Sequence, residues 1–133
     1  MSALFPTEPW LKALEAKLNG DEQYARIARN WEGDLCFQID AEGNLMEPVV
    51  LYLDLWHGKC RSVAMHMPEQ KPAFIMRAPY GNFCKVLLGQ LDPMQALMTR
   101  KLQVTGSMAV MMRSVPTVLD FVRCCREITK DIL

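Results

Sequence analysis

At 133 residues, half of them apolar, the chain is long enough to bury a proper core within one domain. Fifteen basic residues balance fifteen acidic ones, so no net field recruits nucleic acid or an anionic membrane. Neither a signal peptide at Met1–Pro6 nor an apolar run of membrane-spanning length is visible, and a cytoplasmic location is the expectation.

Thr7-Glu8-Pro9 reads as a helix start, with a capping hydroxyl, an early acid and a proline in the first turn. Trp10, Leu11, Leu14 and Leu18 follow at helical spacing, and Asn19-Gly20 ends the run. Asp21 caps a second helix carrying Tyr24, Ile27, Ala28 and Trp31. The period then changes to two. Leu35, Phe37 and Ile39 predict a strand closed by the turn 41–44. Residues 49–56 form a near-continuous apolar strand, expected to be central and covered on both faces. The turn His57-Gly58 leads to a third strand bearing Val63, Met65 and Met67, which completes a meander.

A polar connection, 68–72, precedes a fourth strand over 73–78 with Phe74 and Met76 on one face. Pro79 introduces a helix with Phe83, Val86 and Leu87 in register, ended by Gly89. Asp92-Pro93 opens another with Met94, Leu97 and Met98 on one side. The alternation in 101–105 predicts the fifth strand. Gly106 and Ser107 then turn and cap a short helix with Met108, Met111, Met112 and Val115 on one face. Ser114 and Pro116 open a last helix whose stripe is Val118, Leu119, Val122, Cys125, Ile128 and Ile132. No repeat or linker interrupts the order, so 1–133 is expected to form one α+β domain with a five-stranded, mostly antiparallel sheet and helices packed mainly on one face.

Chemistry-bearing residues are few. Five scattered cysteines suit buried thiols better than a disulfide framework, and no paired short spacing marks a zinc site. No phosphate loop, nucleophile elbow or zinc-protease motif occurs, and no cofactor is implied. His66 belongs to a polar strand face. Asp54, an acid inside an apolar strand, is read as the partner of Arg61 or Arg77, with a perturbed catalytic carboxylate as the other reading. Five of the ten methionines lie between Gly89 and Met112, around one short strand. Their spacing fits plain core. It also fits an adaptable cavity, because an unbranched thioether repacks around ligands of different shape.

Gly89-x-Leu91-x-Pro93, Ala96, then Lys101-Leu102-x-Val104-x-Gly106-x-Met108 resembles the C-terminal signature of the sterol carrier protein type-two family, and Asp92 stands before the proline as in that family. The order of elements agrees over about residues 20 to 130. The resemblance implies a lipid-binding fold enclosing an apolar tunnel, without metal or catalysis, for a sterol, fatty acid or other apolar molecule. Carried over by position, the tunnel lining is Phe74, Met76, Met94, Leu97, Met98, Met108, Met111, Met112, Val115 and Leu119. Thr99-Arg100 stands where many members have a glycine before the lysine. Residues 1–20 form an additional N-terminal helix, expected to cap an opening or make a homodimer contact through Trp10. The alternative within the same fold is an accessory domain that binds a protein partner and carries no lipid.

Overall fold

The computed structural model describes residues 4–133; Met1–Ala3, part of the stretch read as lacking a leader, lie outside the described residues. A two-residue strand, β1 (Leu4–Phe5), precedes helices α1 (Glu8–Gly20) and α2 (Glu22–Ile27). Thr7 caps α1 through its hydroxyl, which accepts from the Trp10 amide, and Asp21 caps α2 by accepting from Tyr24. Trp10, Leu11, Leu14 and Leu18 are buried, as their spacing requires. Helix α2 is shorter than its apolar pattern: it stops at Ile27, and Trp31 enters the core from the following turn.

Four strands follow, β2 (Leu35–Asp40), β3 (Val49–Trp56), β4 (Lys59–Ala64) and β5 (Phe74–Pro79), then α3 (Tyr80–Leu87) and α4 (Pro93–Met98). The chain ends with β6 (Gln103–Thr105), α5 (Met108–Arg113), α6 (Val115–Ile128) and β7 (Asp131–Ile132). The five-stranded sheet has the order β4-β3-β2-β5-β6. Three of its pairings are antiparallel, while β2 and β5 run parallel because the chain crosses over between them. The α+β architecture and the five-stranded, mostly antiparallel sheet are those expected.

Four further features differ from expectation. Strand β4 ends at Ala64, so Met65 and Met67 lie in the connection; Met67 folds back over the sheet, where its sulfur accepts from the Cys36 thiol at 3.0 Å. Strand β6 begins at Gln103, because the Leu102 amide donates to Ala96 and ties the chain to α4 first. Helix α6 ends at Ile128, and Ile132 belongs to β7, which pairs in parallel with β1. Two-residue strands have no period to read; proximity of the termini makes this pair. The fourth correction concerns β3. Leu51, Leu53 and Leu55 face the core, but Val50, Tyr52 and Asp54 on the other face are only half-buried. Helices cover one face alone.

Gly58 and Gly106 are fixed by geometry. Gly58 (φ 79°) shares the β3–β4 turn with His57 (φ 50°), and a Cβ there would meet the Ala25 carbonyl at 2.7 Å. Gly106 (φ 133°) would place a Cβ 2.5 Å from the Ala73 carbonyl and 2.7 Å from the Phe74 ring. No side chain fits either place without backbone movement.

Candidate functional site

Between the helix-covered face of the sheet and the helices lies a cavity of about 90 Å³. The alternation of β2 sends Leu35, Phe37 and Ile39 to its floor, joined by Leu51 and Leu55 of β3 and Met76 of β5. Every helix contributes to the roof, from Trp10 of α1 and Tyr24 of α2 to Val118, Phe121 and Val122 of α6. An aromatic cluster centres it: Phe37 lies 5.7 Å from Phe83, edge to face, and 6.1 Å from Phe121 in a stack. No charged side chain lines it.

Of the residues expected at a tunnel wall, Met76, Leu97 and Met111 are there. Phe74 is buried but outside the wall, its ring tilted against Trp31 at 5.3 Å between centroids and packed beneath Gly33 and Gly106. Met94 packs half-buried on the core, and Val115 is likewise half-buried away from the void. The remaining four point outward, with Met98 69%, Met112 45%, Leu119 41% and Met108 38% exposed. The reason is helix length. Helices α4 and α5 have six residues each, under two turns, so each has only a narrow face to bury. The apolar pattern is broader than that face. The void itself is a small cavity, where the resemblance implied an apolar tunnel.

The sequence reading missed most of the wall. Phe37, Phe83, Val86, Val118, Phe121 and Val122 all stand on apolar faces that periodicity does reveal. What periodicity lacks is a way to tell core that meets core from core that meets a void. Trp10 is buried at the cavity, its indole donating to the Thr129 hydroxyl at 2.8 Å, which leaves the ring no surface to offer a second copy.

The ionisable groups are arranged for structure. Arg61 makes a two-pronged contact to Asp54 at 3.0 and 3.1 Å, across an irregularity in the β3–β4 pairing. Burial pushes the Cys36 and Cys124 thiols up to about 11 and Cys60 up to about 12. Such thiols stay protonated and are poor nucleophiles. Asp21, Asp120 and Cys124 bring three potential metal-ligating atoms within 4.8 Å of one another. The Arg123 guanidinium already occupies that cluster, donating to Asp21 at 2.6 Å and to Asp120 at 2.8 Å. Lys17 closes the network on Asp21 and Glu127. Arg123 and the Tyr24 amide together hold the Asp21 carboxyl well below the usual carboxylate range. His57 bonds Glu32 at 2.6 Å and His66 faces solvent, both away from the cavity.

A second depression, about 470 Å³, opens on the surface beside β5 and the chain entering β6. Arg77, Arg100 and Lys101 line it with Asn82, Gln103 and one acid, Asp40, which Arg77 engages at 3.1 Å. Arg100 has φ 61°, a left-handed backbone that favours glycine, at the position where the resemblance led to expect one.

The SCP-2 sterol transfer family matches residues 11–118. No curated protein matches the chain. Among solved structures, a crystal structure of sterol carrier protein 2 shares 32% identity and a TM-score of 0.82, covering 91% of this chain and 96% of that one. A Thermus thermophilus protein, described as possibly a sterol carrier protein, shares 32% identity with a TM-score of 0.83, over 92% of this chain and 88% of that one. The apo form of sterol carrier protein 2 from Yarrowia lipolytica, at 16% identity, shares the fold with a TM-score of 0.63, covering 92% of this chain and 93% of that one. With the fold, the strand order and a match over most of its length in agreement, the chain belongs to the SCP-2 sterol transfer family.

Proposed function

We propose that this protein, acting as one domain over its whole length, binds an acyl, sterol-like or other apolar molecule between its sheet and its helices, and performs no chemistry on it. The observation that carries the reading is a cavity without charged lining at the centre of a lipid-carrier fold. Apolar burial contributes roughly 0.8 kcal/mol per CH2, so a long chain binds even after the costs of association. The absence of catalysis agrees with Asp54 held by Arg61 and with thiols raised by burial. The five free cysteines agree with a reducing compartment, the cytoplasm.

The volume adds a condition. Pockets for small molecules usually span roughly 300–1,000 Å³, well above the 90 Å³ here. Loading therefore moves a wall. Met76 and Met111, unbranched and adaptable, stand in that wall, and Met111 sits on one of the shortest helices.

Native mass spectrometry of the purified protein, with titration of a fluorescent fatty acid, tests the reading. Met111→Leu nearly conserves volume and usually costs less than about 1.5 kcal/mol. It should keep the fold and change affinity unequally among acyl chains of different length. The second reading, a partner-binding domain without cargo, draws on the small void and the exposed apolar side chains. If the wild type retains no lipid and binds no apolar probe, that second reading takes over.

A further inference from the structure

Alternation along the chain gives β5 and the segment entering β6 two different sides. Met76 lines the apolar cavity, and Arg77, the next residue of β5, lines the surface depression. Leu102 likewise lines the cavity, while its neighbours Lys101 and Gln103 line the depression. The two sites share no residue, so an occupant of the depression is recognised independently of cargo.

Charge and shape define that occupant's chemistry. Three cations, Arg77, Arg100 and Lys101, converge on the depression against one acid, Asp40. Arg77 meets Asp40 through Nε alone, at 3.1 and 3.2 Å, which leaves its terminal nitrogens for another acceptor. Arg100 and Lys101 form no ion pair among the described residues. Glu42, the next acid along the chain, is engaged by the Gly81 amide at 2.7 Å. Arg100 is held at φ 61°, so its side chain is kept there on a strained backbone that favours glycine. Guanidinium groups match phosphate oxygens in pairs. The volume, about 470 Å³, exceeds the needs of a bare ion and falls within the roughly 300–1,000 Å³ of small-molecule sites.

The uncharged groups indicate what else the ligand carries. Asn82 Nδ2 donates to the Lys101 carbonyl at 2.9 Å, which ties the basic segment to α3 and leaves Oδ1 to accept. The Gln103 side-chain amide has no partner among the described residues. Both amides suit hydroxyl groups. No aromatic ring lines the depression to stack on a base, and no apolar side chain larger than proline is there to seat an acyl chain.

We propose that this depression binds a water-soluble, hydroxylated phosphate ester of the sugar-phosphate class. Arg77, Arg100 and Lys101 take the phosphate, and Asn82 and Gln103 take the hydroxyls. The inference goes beyond cargo binding and stands whether or not the cavity is filled.

Isothermal titration calorimetry of the full chain tests it, with glucose 6-phosphate and glycerol 3-phosphate as probes and inorganic phosphate and glucose as their components. The wild type should bind at least one of the esters about tenfold more tightly than inorganic phosphate, and glucose not measurably. Arg100→Gly separates binding from folding: it should melt no lower than the wild type yet bind the ester about tenfold more weakly. Lys101→Gln should lose a similar factor. Gln103→Leu should weaken the ester while leaving inorganic phosphate unchanged, a difference that a purely electrostatic patch does not produce. Arg29→Gln/Lys59→Gln removes two exposed cations outside the depression and should bind like the wild type. Failure of both esters to bind at about 10 mM, affinity no greater than for inorganic phosphate, or equal losses in the control variant would overturn the proposal. Binding confined to phosphatidylglycerol vesicles would overturn it too, by assigning the cations to a lipid headgroup.

Discussion

Gly106 shows at residue scale why the family signature holds a glycine. Its Cβ would collide with the Ala73 carbonyl and the Phe74 ring, where β5 and β6 meet. Gly106→Ala should therefore lower stability by about 2 kcal/mol or more, read as a denaturation midpoint, because backbone must move to relieve the clash. Arg123 is the second single residue on which much depends. It ties Asp21, Asp120 and Glu127, and with them α2 to α6. Its removal leaves a largely buried carboxylate without its cation, so Arg123→Ala should cost about 2–3 kcal/mol. The same network sets an acid limb. The folded-state pKa of Asp21 is depressed from 3.8, so the stability it contributes is present above that value and is lost as pH falls below it. Denaturant titrations across this range should show a steep acid decline in the wild type and a flatter one in Arg123→Ala.

At the scale of elements, α4 and α5 separate pattern from placement. Each carries more apolar residues than six positions can bury. The outcome is testable by two charge insertions that sequence spacing treats alike. Met98→Lys enters solvent and should change stability by less than about 0.5 kcal/mol. Met111→Asp buries an unpaired charge among Leu97, Val118 and Phe121, and should unfold the domain or lower its melting point sharply. Equal effects in circular dichroism melts would contradict the burial described. Strand β4 illustrates a quieter device. Its free edge is met by the Asn19 amide, which both donates to and accepts from the Cys60 backbone at 2.9 and 2.8 Å, a side chain standing in for a sixth strand.

For the molecule as a whole, one continuous apolar core joins α1 to the sheet and the terminal helix, and nothing in it calls for a metal. A structural zinc would supply folding free energy outright. Incubation with EDTA should therefore leave the melting temperature unchanged, and the cluster at Asp21, Asp120 and Cys124 should not bind zinc measurably while Arg123 fills it. A melting point that falls with chelation would overturn the reading of the five cysteines.

The sequence by itself determined what depends on local spacing and turn chemistry. The caps at Thr7, Asp21, Asp92 and Ser107, the alternation of Leu35, Phe37 and Ile39, and the glycine turns are short-range properties. Together with the Gly89–Met108 signature, they disclosed the five-strand α+β fold. Tertiary structure alone decided which apolar residues face a void, which face each other and which face water. It left Met98 and Met112 outside and put Trp10 and Phe121 at the cavity. It also made the parallel β2–β5 pairing and joined the two ends through β1 and β7, with Tyr80 donating to the Leu133 carbonyl. The physical reason is the same in each case: a helix or strand carries its apolar face with it, but what that face meets depends on elements distant in the chain.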